Sequence, residues 1–413
     1  MTTSSLDLFL GDRRNIDDRV FFPAIDRIRE EAPMFFSPSQ QVWFITRYED
    51  VISAFSDKRW SEKRLQGSQF AAIPEAERAA LIPNLVTYVP DWVNNIDSPQ
   101  HDRVRRLLLK GFTRKVIESV RPGIDKVAED LVAYAADKRE FDFVNDIAFP
   151  LPAAVVLQLL GVPMEHIGKM RGWANVVTAA LAGVQPPREV LLAAEQAFAE
   201  MNEIFMIEID KRKTAPGNDL ISALVQARED NGDALTLEEL LGILQLVIIA
   251  GHDSTANSIG LGLLALINNP EQLALYRDGG VDPLQAMSEL SRHINVGAMQ
   301  PRVALERMEM HGQTVEPGQY AFVMIAAANR DPRMFENPTV LDFKRKNIDR
   351  LATFGPGFHH CVGHYLARVE LDSLFRRLVQ RFPKMEADTS NLQFQMNPVF
   401  RGLEALPVRF TAA

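Results

Sequence analysis

Apolar positions along this chain recur mostly at helical spacing, in segments of about 10–20 residues that end at proline or glycine. Alternation typical of strands is rare. It occurs at residues 42–46, at 318–325 and at 402–410, the last of which predicts a terminal hairpin. No repeat and no Pro/Gly/Ser-rich linker divides the chain. The pattern predicts a mainly α protein with small β-sheets, in a single domain over residues 1–413.

Two stretches interrupt the helical pattern. Residues 62–96 show no clear period, and residues 182–189 form a Gly/Pro-rich break between two apolar helices. Both stretches are expected to be mobile, the second as the hinge of a lid.

The longest apolar run, Leu240 to Gly251, lies in a helix whose start and end are both marked. Thr236 and Glu239 have the spacing of a capping box, in which a hydroxyl and a carboxylate each bond an orphan backbone amide. The apolar pattern continues to Asn268, before a proline. A helix of about 30 residues would be about 45 Å long. Its almost uniformly apolar surface predicts a central, buried position.

Polar side chains interrupt this helix at its middle. They are His252, Asp253, Ser254, Thr255, Asn257 and Ser258. One face there carries mainly small residues at helical spacing, namely Val247, Ala250, Gly251, Ser254 and Ser258. A serine hydroxyl can bond the carbonyl four residues back, so a bent or widened turn is expected at 250–255. The polar cluster is either satisfied internally or placed there for a reaction.

Composition and charge limit the class of protein. The chain has 413 residues, 46% of them hydrophobic, and a net charge of −9, which argues against a protein built to coat nucleic acid. We expect no signal peptide, because the first residues lack a basic segment followed by a long apolar one, and the longest apolar run is short of the ~20 residues that span a bilayer. One cysteine, Cys361, allows no intramolecular disulfide, which suits a reducing cytosol. We therefore expect a cytoplasmic protein without a membrane segment.

The single cysteine follows a glycine-rich loop. The loop residues are Gly355, Pro356 and Gly357, with Gly363 just beyond the cysteine. Apolar spacing from Val362 onward predicts a helix that begins almost at Cys361, and a helix N-terminus favours thiolate over thiol. Residue types alone leave a metal ligand and a buried structural cysteine equally open. Zinc binding with His359, His360 and His364 is disfavoured because neighbouring side chains diverge.

The spacing Phe354-x-x-Gly357-x-His359-x-Cys361-x-Gly363 resembles the cysteine-ligand loop of the cytochrome P450 haem-thiolate monooxygenases. Other segments resemble that family in the same order. They are a haem-flanking helix start at 97–113, an ExxR helix at 289–292, a meander at 326–338 and a closing hairpin at 401–410. The resemblance covers roughly residues 15–410.

The resemblance implies one P450-type domain, with many helices around haem b and Cys361 as the thiolate ligand of the iron. It implies that Glu289 and Arg292 form a buried structural pair. Haem propionates favour cationic or donor partners, and the matching positions are His101, Arg105, Arg302 and His359. The other implied cofactor-binding residues are Ala250, Gly251, Phe354, Gly357 and Gly363.

The family also places an acid and an alcohol over the haem, which implies catalytic roles for Asp253, Ser254 and Thr255. Ser254 stands where the family usually has threonine, so we expect a looser proton relay, with Thr255 able to share it. The implied activity is insertion of one oxygen atom from O₂ into an organic substrate. A peroxygenase or other non-monooxygenase member, and a non-catalytic haem- or gas-binding protein, are alternatives. Asp253 argues against both.

The resemblance further implies electrons from NAD(P)H, delivered through a reductase and a ferredoxin. A basic run could receive the ferredoxin, although solvation of a helix face explains it equally well. Its proposed docking residues are Arg103, Arg106, Lys110, Arg114 and Lys115. A pocket for a small apolar substrate is expected around Val247, Ala250, Val296, Ala298, Val399 and Phe400. Terpenoid, steroid, fatty-acid and aromatic substrates all stay open.

Overall fold

The computed structural model describes residues 18–63, 70–182, 186–395 and 400–411. Helices dominate this part of the chain, which confirms the mainly α class. The backbone clusters into two compact units. Unit 1 comprises residues 1–64, 132–148 and 257–413, and unit 2 comprises residues 65–131 and 149–256. The single domain stays a prediction.

The described helices and strands are numbered in chain order. The helices are α1 Asp18–Glu31, α2 Tyr48–Ser56, α3 Glu75–Leu81, α4 Pro83–Tyr88, α5 Gln100–Gly111, α6 Arg114–Lys138, α7 Pro150–Leu160, α8 Ile167–Ala182, α9 Arg188–Thr214, α10 Leu220–Gln226, α11 Leu237–Asn268, α12 Pro270–Arg277, α13 Pro283–Ile294, α14 Ile325–Ala328 and α15 His364–Arg381. The strands are β1 Met34–Ser37, β2 Val42–Ile45, β3 Trp60–Ser61, β4 Glu140–Asp142, β5 Gln300–Ala304, β6 Met308–Met310, β7 Gln313–Val315, β8 Tyr320–Val323, β9 Lys384–Ala387 and β10 Pro407–Thr411.

Unit 1 is built on a five-stranded sheet of order β1-β2-β8-β5-β3. The strands predicted at 42–46 and 318–325 are confirmed as β2 and β8, which pair in parallel. Successive strand side chains point to opposite faces, and both faces of β2 are buried. Trp43 joins an apolar cluster with α2, whereas Phe44 joins one with α1. The sheet is therefore held between these two helices.

The terminal hairpin predicted at 402–410 is confirmed only in part, because the segment contributes one strand, β10, and Leu403 bridges to Phe394 outside it. Strand β10 pairs with β9 and with β4. Phe410 packs there against Phe141 and Phe382, with ring centroids 5.2 and 5.0 Å apart. These partners are remote in sequence, so local alternation could not identify them.

The long helix predicted after Thr236 is confirmed as α11. The Thr236 amide donates to Glu239 Oε2 at 2.9 Å, and the Glu239 amide donates to Thr236 Oγ1 at 3.2 Å, which is the predicted capping box. The helix is regular α-helix through 250–255, so the widened turn expected there is not seen. None of the described helices is both long enough and apolar enough to cross a bilayer.

The two interruptions of the helical pattern differ in structure. Residues 62–96 contain α3 and α4, so this stretch does have regular structure, in helices too short to show a period. The break at 182–189 is confirmed, because α8 ends at Ala182 and α9 begins at Arg188. Residues 64–69 and 183–185 lie outside the described part of the chain.

A chain of polar side chains links three helices of unit 2, α4, α9 and α11, to Trp92. Trp92 Nε1 donates to Gln245 Oε1 of α11 at 3.4 Å, and Gln245 Nε2 donates to Asn202 Oδ1 of α9 at 2.6 Å. Asn202 Nδ2 donates to Asn84 Oδ1 at 2.9 Å, and Asn84 Nδ2 donates to Glu195 Oε1 at 2.5 Å. The Glu195 carboxylate also accepts two backbone amides at the start of α4. These hydrogen bonds therefore tie α4 to α9 and, through Asn202, to α11.

Candidate functional site

Cys361 lies at the end of a loop whose shape depends on glycine. Gly355 and Gly357 have φ angles of 66° and 99°, in the region that glycine adopts without steric cost. The Cys361 amide donates to the Phe354 carbonyl at 2.9 Å and closes the loop. Helix α15 begins at His364, and the thiol is exposed. The interpretation of a buried structural cysteine is therefore wrong.

The histidines around the thiol are directed to other partners. His364 Nδ1 lies 2.8 Å from the Cys361 carbonyl oxygen, and the rings of His360 and His364 meet edge to face at 4.7 Å. His359 lies toward a carboxylate, Glu62. Within the described residues, no group of three or more His, Cys, Asp or Glu side chains could hold a metal ion. His359 is therefore directed toward Glu62, whereas His360 and His364 contact each other.

Gly357 packs directly against the end of α2. A methyl group at Gly357 would lie 2.4 Å from the carbonyl oxygen of Phe55 and 2.9 Å from Ser56 Oγ. At Gly355 the nearest atom would be on the Phe55 ring, at 3.5 Å. The loop therefore needs glycine at 357 both for its conformation and for the close approach.

We expect Gly357→Ala to destabilise the cysteine loop more than Gly355→Ala does. The left-handed backbone costs an alanine about 1–2 kcal/mol at either position, whereas the clash with a backbone oxygen adds about 1–3 kcal/mol at 357 only. Urea unfolding and the haem content of the purified variants measure the difference. Equal losses of stability and of haem content in the two variants would show that the packing of Gly357 against α2 is unimportant.

Arg302 and His359 meet at a buried carboxylate in unit 1. Arg302 Nη1 donates to Glu62 Oε2 at 2.8 Å, and Arg302 Nη2 lies 2.5 Å from Glu62 Oε1. His359 Nε2 lies 3.9 Å from the same Oε1 atom. Sequence analysis missed Glu62, because it follows β3 in a stretch without a recognisable period.

Glu289 and Arg292 form a buried ion pair on α13. Arg292 Nε and Nη2 donate to the two carboxylate oxygens at 2.7 and 2.8 Å, and both side chains are fully buried. Arg345, which sequence analysis missed, donates to both oxygens at 3.1 Å. Arg292 Nη1 also donates to the carbonyls of Asn329 and Pro338 at 2.8 Å. The cluster therefore fixes α13 to the segment 326–338.

The small-residue face of α11 is its open face. Residues 248, 249, 252, 253 and 255–257 are buried, whereas Val247, Ala250, Gly251, Ser254 and Ser258 are partly or fully exposed. Ser254 Oγ donates to the Ala250 carbonyl at 3.0 Å, which is the expected bond to the preceding turn. Thr255 is buried and lies off this face. Of the two hydroxyls, Ser254 is the one on the accessible side.

The acid of this helix has partners within unit 2. Asp253 Oδ1 lies 3.1 Å from His252 Nδ1, and Asp253 Oδ2 accepts from Thr178 Oγ1 at 3.2 Å. The His252 ring packs 5.3 Å from that of Phe149, over which the Arg171 guanidinium lies at 4.3 Å. The carboxylate is therefore satisfied internally. Thr178 could not be predicted, because it lies 75 positions earlier, on α8.

His101 and Arg105 lie one turn apart on α5 of unit 2. His101 is buried, with its Nδ1 atom 3.0 Å from Asp102 Oδ1. Burial lowers the pKa of His101, the hydrogen bond to Asp102 opposes that effect, and the charge of Arg105 adds to it. Burial therefore favours the neutral ring, which has a single N–H to donate to a carboxylate.

The basic run is partly neutralised by acids of the same unit. Arg103 donates to Asp233 at 2.7 and 2.9 Å and to Glu239 at 2.5 Å. Arg106 Nε lies 3.9 Å from Glu229 Oε2. The members of the run that are exposed are Arg106, Lys110, Arg114 and Lys115.

The residues expected to line a substrate pocket fall in both units. Val296 and Phe400 are adjacent in unit 1. Gly297 forms a β-bridge to Phe400, and the amide of Arg401 donates to the Val296 carbonyl at 2.8 Å. Val296 and Ala298 are buried. Val247 and Ala250 lie on the open face of α11, in unit 2. Val399 lies outside the described residues.

The residues of unit 1 fit a haem. A haem needs an accessible axial ligand for iron and cationic partners for its propionates. Cys361 presents an exposed thiol near the N-terminus of α15, where the helix dipole favours thiolate. Arg302 and His359, which lie together in that unit, can serve a propionate.

Known proteins resemble the chain over nearly its whole length. The family model for cytochrome P450 matches residues 185–277 and 285–402. Cytochrome P450 107B1 of Saccharopolyspora erythraea is 36% identical over 408 residues, covering 98% of this chain and 96% of that protein. The 6-deoxyerythronolide B hydroxylase of the same organism is 31% identical, covering 92% and 94%. The solved structure of PksS, a Bacillus subtilis P450 of the bacillaene polyketide synthase, superposes with a TM-score of 0.84 at 30% identity, covering 97% and 99%.

Proposed function

Because this chain belongs to the cytochrome P450 family and is a monooxygenase of that family, we propose that it hydroxylates a neutral apolar compound with Cys361 as its haem ligand. The observation that carries the proposal is the exposed Cys361 thiol, held by a glycine loop at the start of α15. The absorption spectrum of the reduced, CO-bound protein tests thiolate ligation. Product formation that requires both O₂ and NAD(P)H tests the reaction.

The family implies haem as the cofactor, and we propose which residues hold it. Haem bound at Cys361 supplies the activation of O₂ and the transfer of one oxygen atom to the substrate. Arg302, His359, His101 and Arg105 would bind its propionates. Loop and helix residues would contact its faces, namely Phe354, Gly357, Gly363, Ala250 and Gly251.

Asp253 and Ser254 are the residues that we propose for proton delivery, out of the three candidates Asp253, Ser254 and Thr255. Asp253 would hold a proton between His252 and Thr178, its two hydrogen-bond partners. Ser254 would pass a proton on, since its hydroxyl lies on the open face of α11. We assign the relay to Ser254 rather than to Thr255, which is buried off that face.

We expect Ser254→Ala to uncouple the reaction several-fold more than Thr255→Ala. Loss of the relay hydroxyl delays proton delivery, so more of the electrons consumed leave as hydrogen peroxide. The measurement is peroxide and product formed per NAD(P)H consumed. Thr255→Ala serves as the matched control, because it removes a hydroxyl from the same helix turn. Uncoupling in Thr255→Ala alone would reverse the assignment.

Electrons would come from NAD(P)H through a reductase and a ferredoxin-type donor. The exposed basic residues Arg106, Lys110, Arg114 and Lys115 would attract an acidic donor. Arg103 would contribute less, since Asp233 and Glu239 already bind it. The donors would be other cytoplasmic proteins.

A polyketide is the substrate class that we favour. The name of one relative specifies 6-deoxyerythronolide B as its substrate, and PksS is named as the P450 of a polyketide synthase. The positions at Val247, Ala250 and Val296 are apolar and supply no charged anchor. Spin-state titration with a macrolide aglycone, a steroid and a fatty acid distinguishes the classes. Tightest binding of the steroid or the fatty acid would contradict this assignment.

The alternative activities can be distinguished by the oxidant that each needs to form product. A peroxygenase would form product from added hydrogen peroxide without NAD(P)H, and a gas-binding protein would form none with either. Asp253 favours the O₂-dependent reaction, because the oxygen atom that does not enter the substrate is reduced to water and takes up protons.

A further inference from the structure

Glu62 lies opposite Arg302 because the backbone places it there. Strands β3 and β5 are antiparallel, with Trp60 beside Ala304 and Ser61 beside Val303. The next pair in this register is Glu62 with Arg302. Directly opposed side chains of opposite charge are close neighbours in an antiparallel pair. The ion pair therefore follows from strand register.

The surroundings of Arg302 hold the pair in place. The Arg302 guanidinium lies 4.8 Å from the centroid of the Phe55 ring, and Phe55 in turn packs against Gly357 of the cysteine loop. Glu62 is 5% exposed and Arg302 is 3% exposed. A buried charge pair is weakly screened by salt, so the charge of Glu62 acts strongly on groups nearby.

We propose that Glu62 is a positioning residue that shares Arg302 with a carboxylate of the bound haem and lowers the haem reduction potential by its negative charge. An arginine has five N–H donors, so one guanidinium can serve Glu62 and a propionate together. Glu62 also lies beside His359, the second proposed propionate partner in this unit. An electron added to the iron is repelled by the fixed carboxylate. This inference rests on the proposed function, which supplies the haem.

The test is the one-electron reduction potential of the ferric/ferrous couple in the haem-loaded protein, titrated with dithionite and redox mediators. We expect Glu62→Gln to raise the potential, because the amide keeps the shape and removes the charge. Haem transfer to apomyoglobin should become several-fold slower, since Arg302 then serves the propionate alone. Arg302→Gln should do the opposite, lowering the potential and accelerating transfer.

Glu208→Gln is the matched control. Glu208 is likewise a buried carboxylate paired with an arginine, Arg212, but both residues of this pair lie on α9 of unit 2. We expect this variant to lose stability and to keep the wild-type potential. A Glu62→Gln potential at or below that of the wild type would overturn the proposal. If the Glu62→Gln variant does not fold, an unchanged or raised reduction potential in Arg302→Gln would overturn the proposal.

Failure of this inference is distinguishable from failure of the proposed function. A wild-type protein without the reduced, CO-bound signature of thiolate ligation would contradict the function itself. A wild-type protein with that signature, whose potential does not respond to Glu62, would contradict only the role of Glu62.

Discussion

We expect Cys361→Ala to lose the thiolate signature of the reduced, CO-bound spectrum and to lower monooxygenase activity to the uncatalysed background. Cys361 is the only cysteine in the sequence. Electron donation from a thiolate ligand favours cleavage of the O–O bond. The fold should persist, because the thiol is exposed and the loop is closed through the Cys361 backbone amide. The measurements are the spectrum, product formation and far-UV circular dichroism.

His364→Ala is the control for this prediction. His364 touches the Cys361 carbonyl and the His360 ring, so its loss perturbs the same loop but leaves the thiolate. We expect the thiolate signature to survive in this variant. A Cys361→Ala protein that retained the signature would show that the ligand assignment is wrong. An imidazole-type spectrum in that variant would instead indicate that a neighbouring histidine replaces the thiolate.

We expect Glu289→Ala to destabilise the protein by about 3–5 kcal/mol or more, the usual cost of removing one partner of a buried pair. The loss should lie at the upper end, since one carboxylate serves two buried arginines, Arg292 and Arg345. Their backbone partners would still bind them, but two positive charges would face each other in the core. Urea unfolding followed by circular dichroism measures the effect.

Glu31→Ala provides the comparison for a pair at the surface. Glu31 accepts from Arg27 at 2.6 Å on α1, where the two side chains are 50% and 37% exposed. Such a pair contributes less than about 1 kcal/mol. If Glu289→Ala cost no more than Glu31→Ala, the buried cluster would not stabilise this fold.

Much of the fold could be predicted where the determinants are local. The capping box at Thr236 and the end of α11 before Pro270 involve residues within one helical turn of each other. The left-handed backbone of the glycine loop before Cys361 is likewise a property of its own residues, Gly355 and Gly357. Local chemistry of this kind leaves a readable spacing in the sequence.

The remaining features could not be predicted because their partners meet only in the folded chain. Glu62 pairs with Arg302 across 240 positions, and Arg345 reaches Glu289 across 56. The terminal strand β10 finds its partners by packing Phe410 among aromatic rings, not by a local turn. A charged residue that is buried by such pairing has the same appearance in the sequence as a solvated one.

The polar chain through Gln245, Asn202, Asn84 and Glu195 bears on how this enzyme can be engineered. An apolar substitution at any one position leaves a buried or half-buried donor or acceptor of its neighbour without that partner, whereas replacing neighbours together removes both groups. The effects of these substitutions should therefore be strongly non-additive. In a library that varies one position at a time, each single substitution would destabilise the protein and be discarded, although the same substitutions are tolerated when they are combined. The four positions should be randomised as a set.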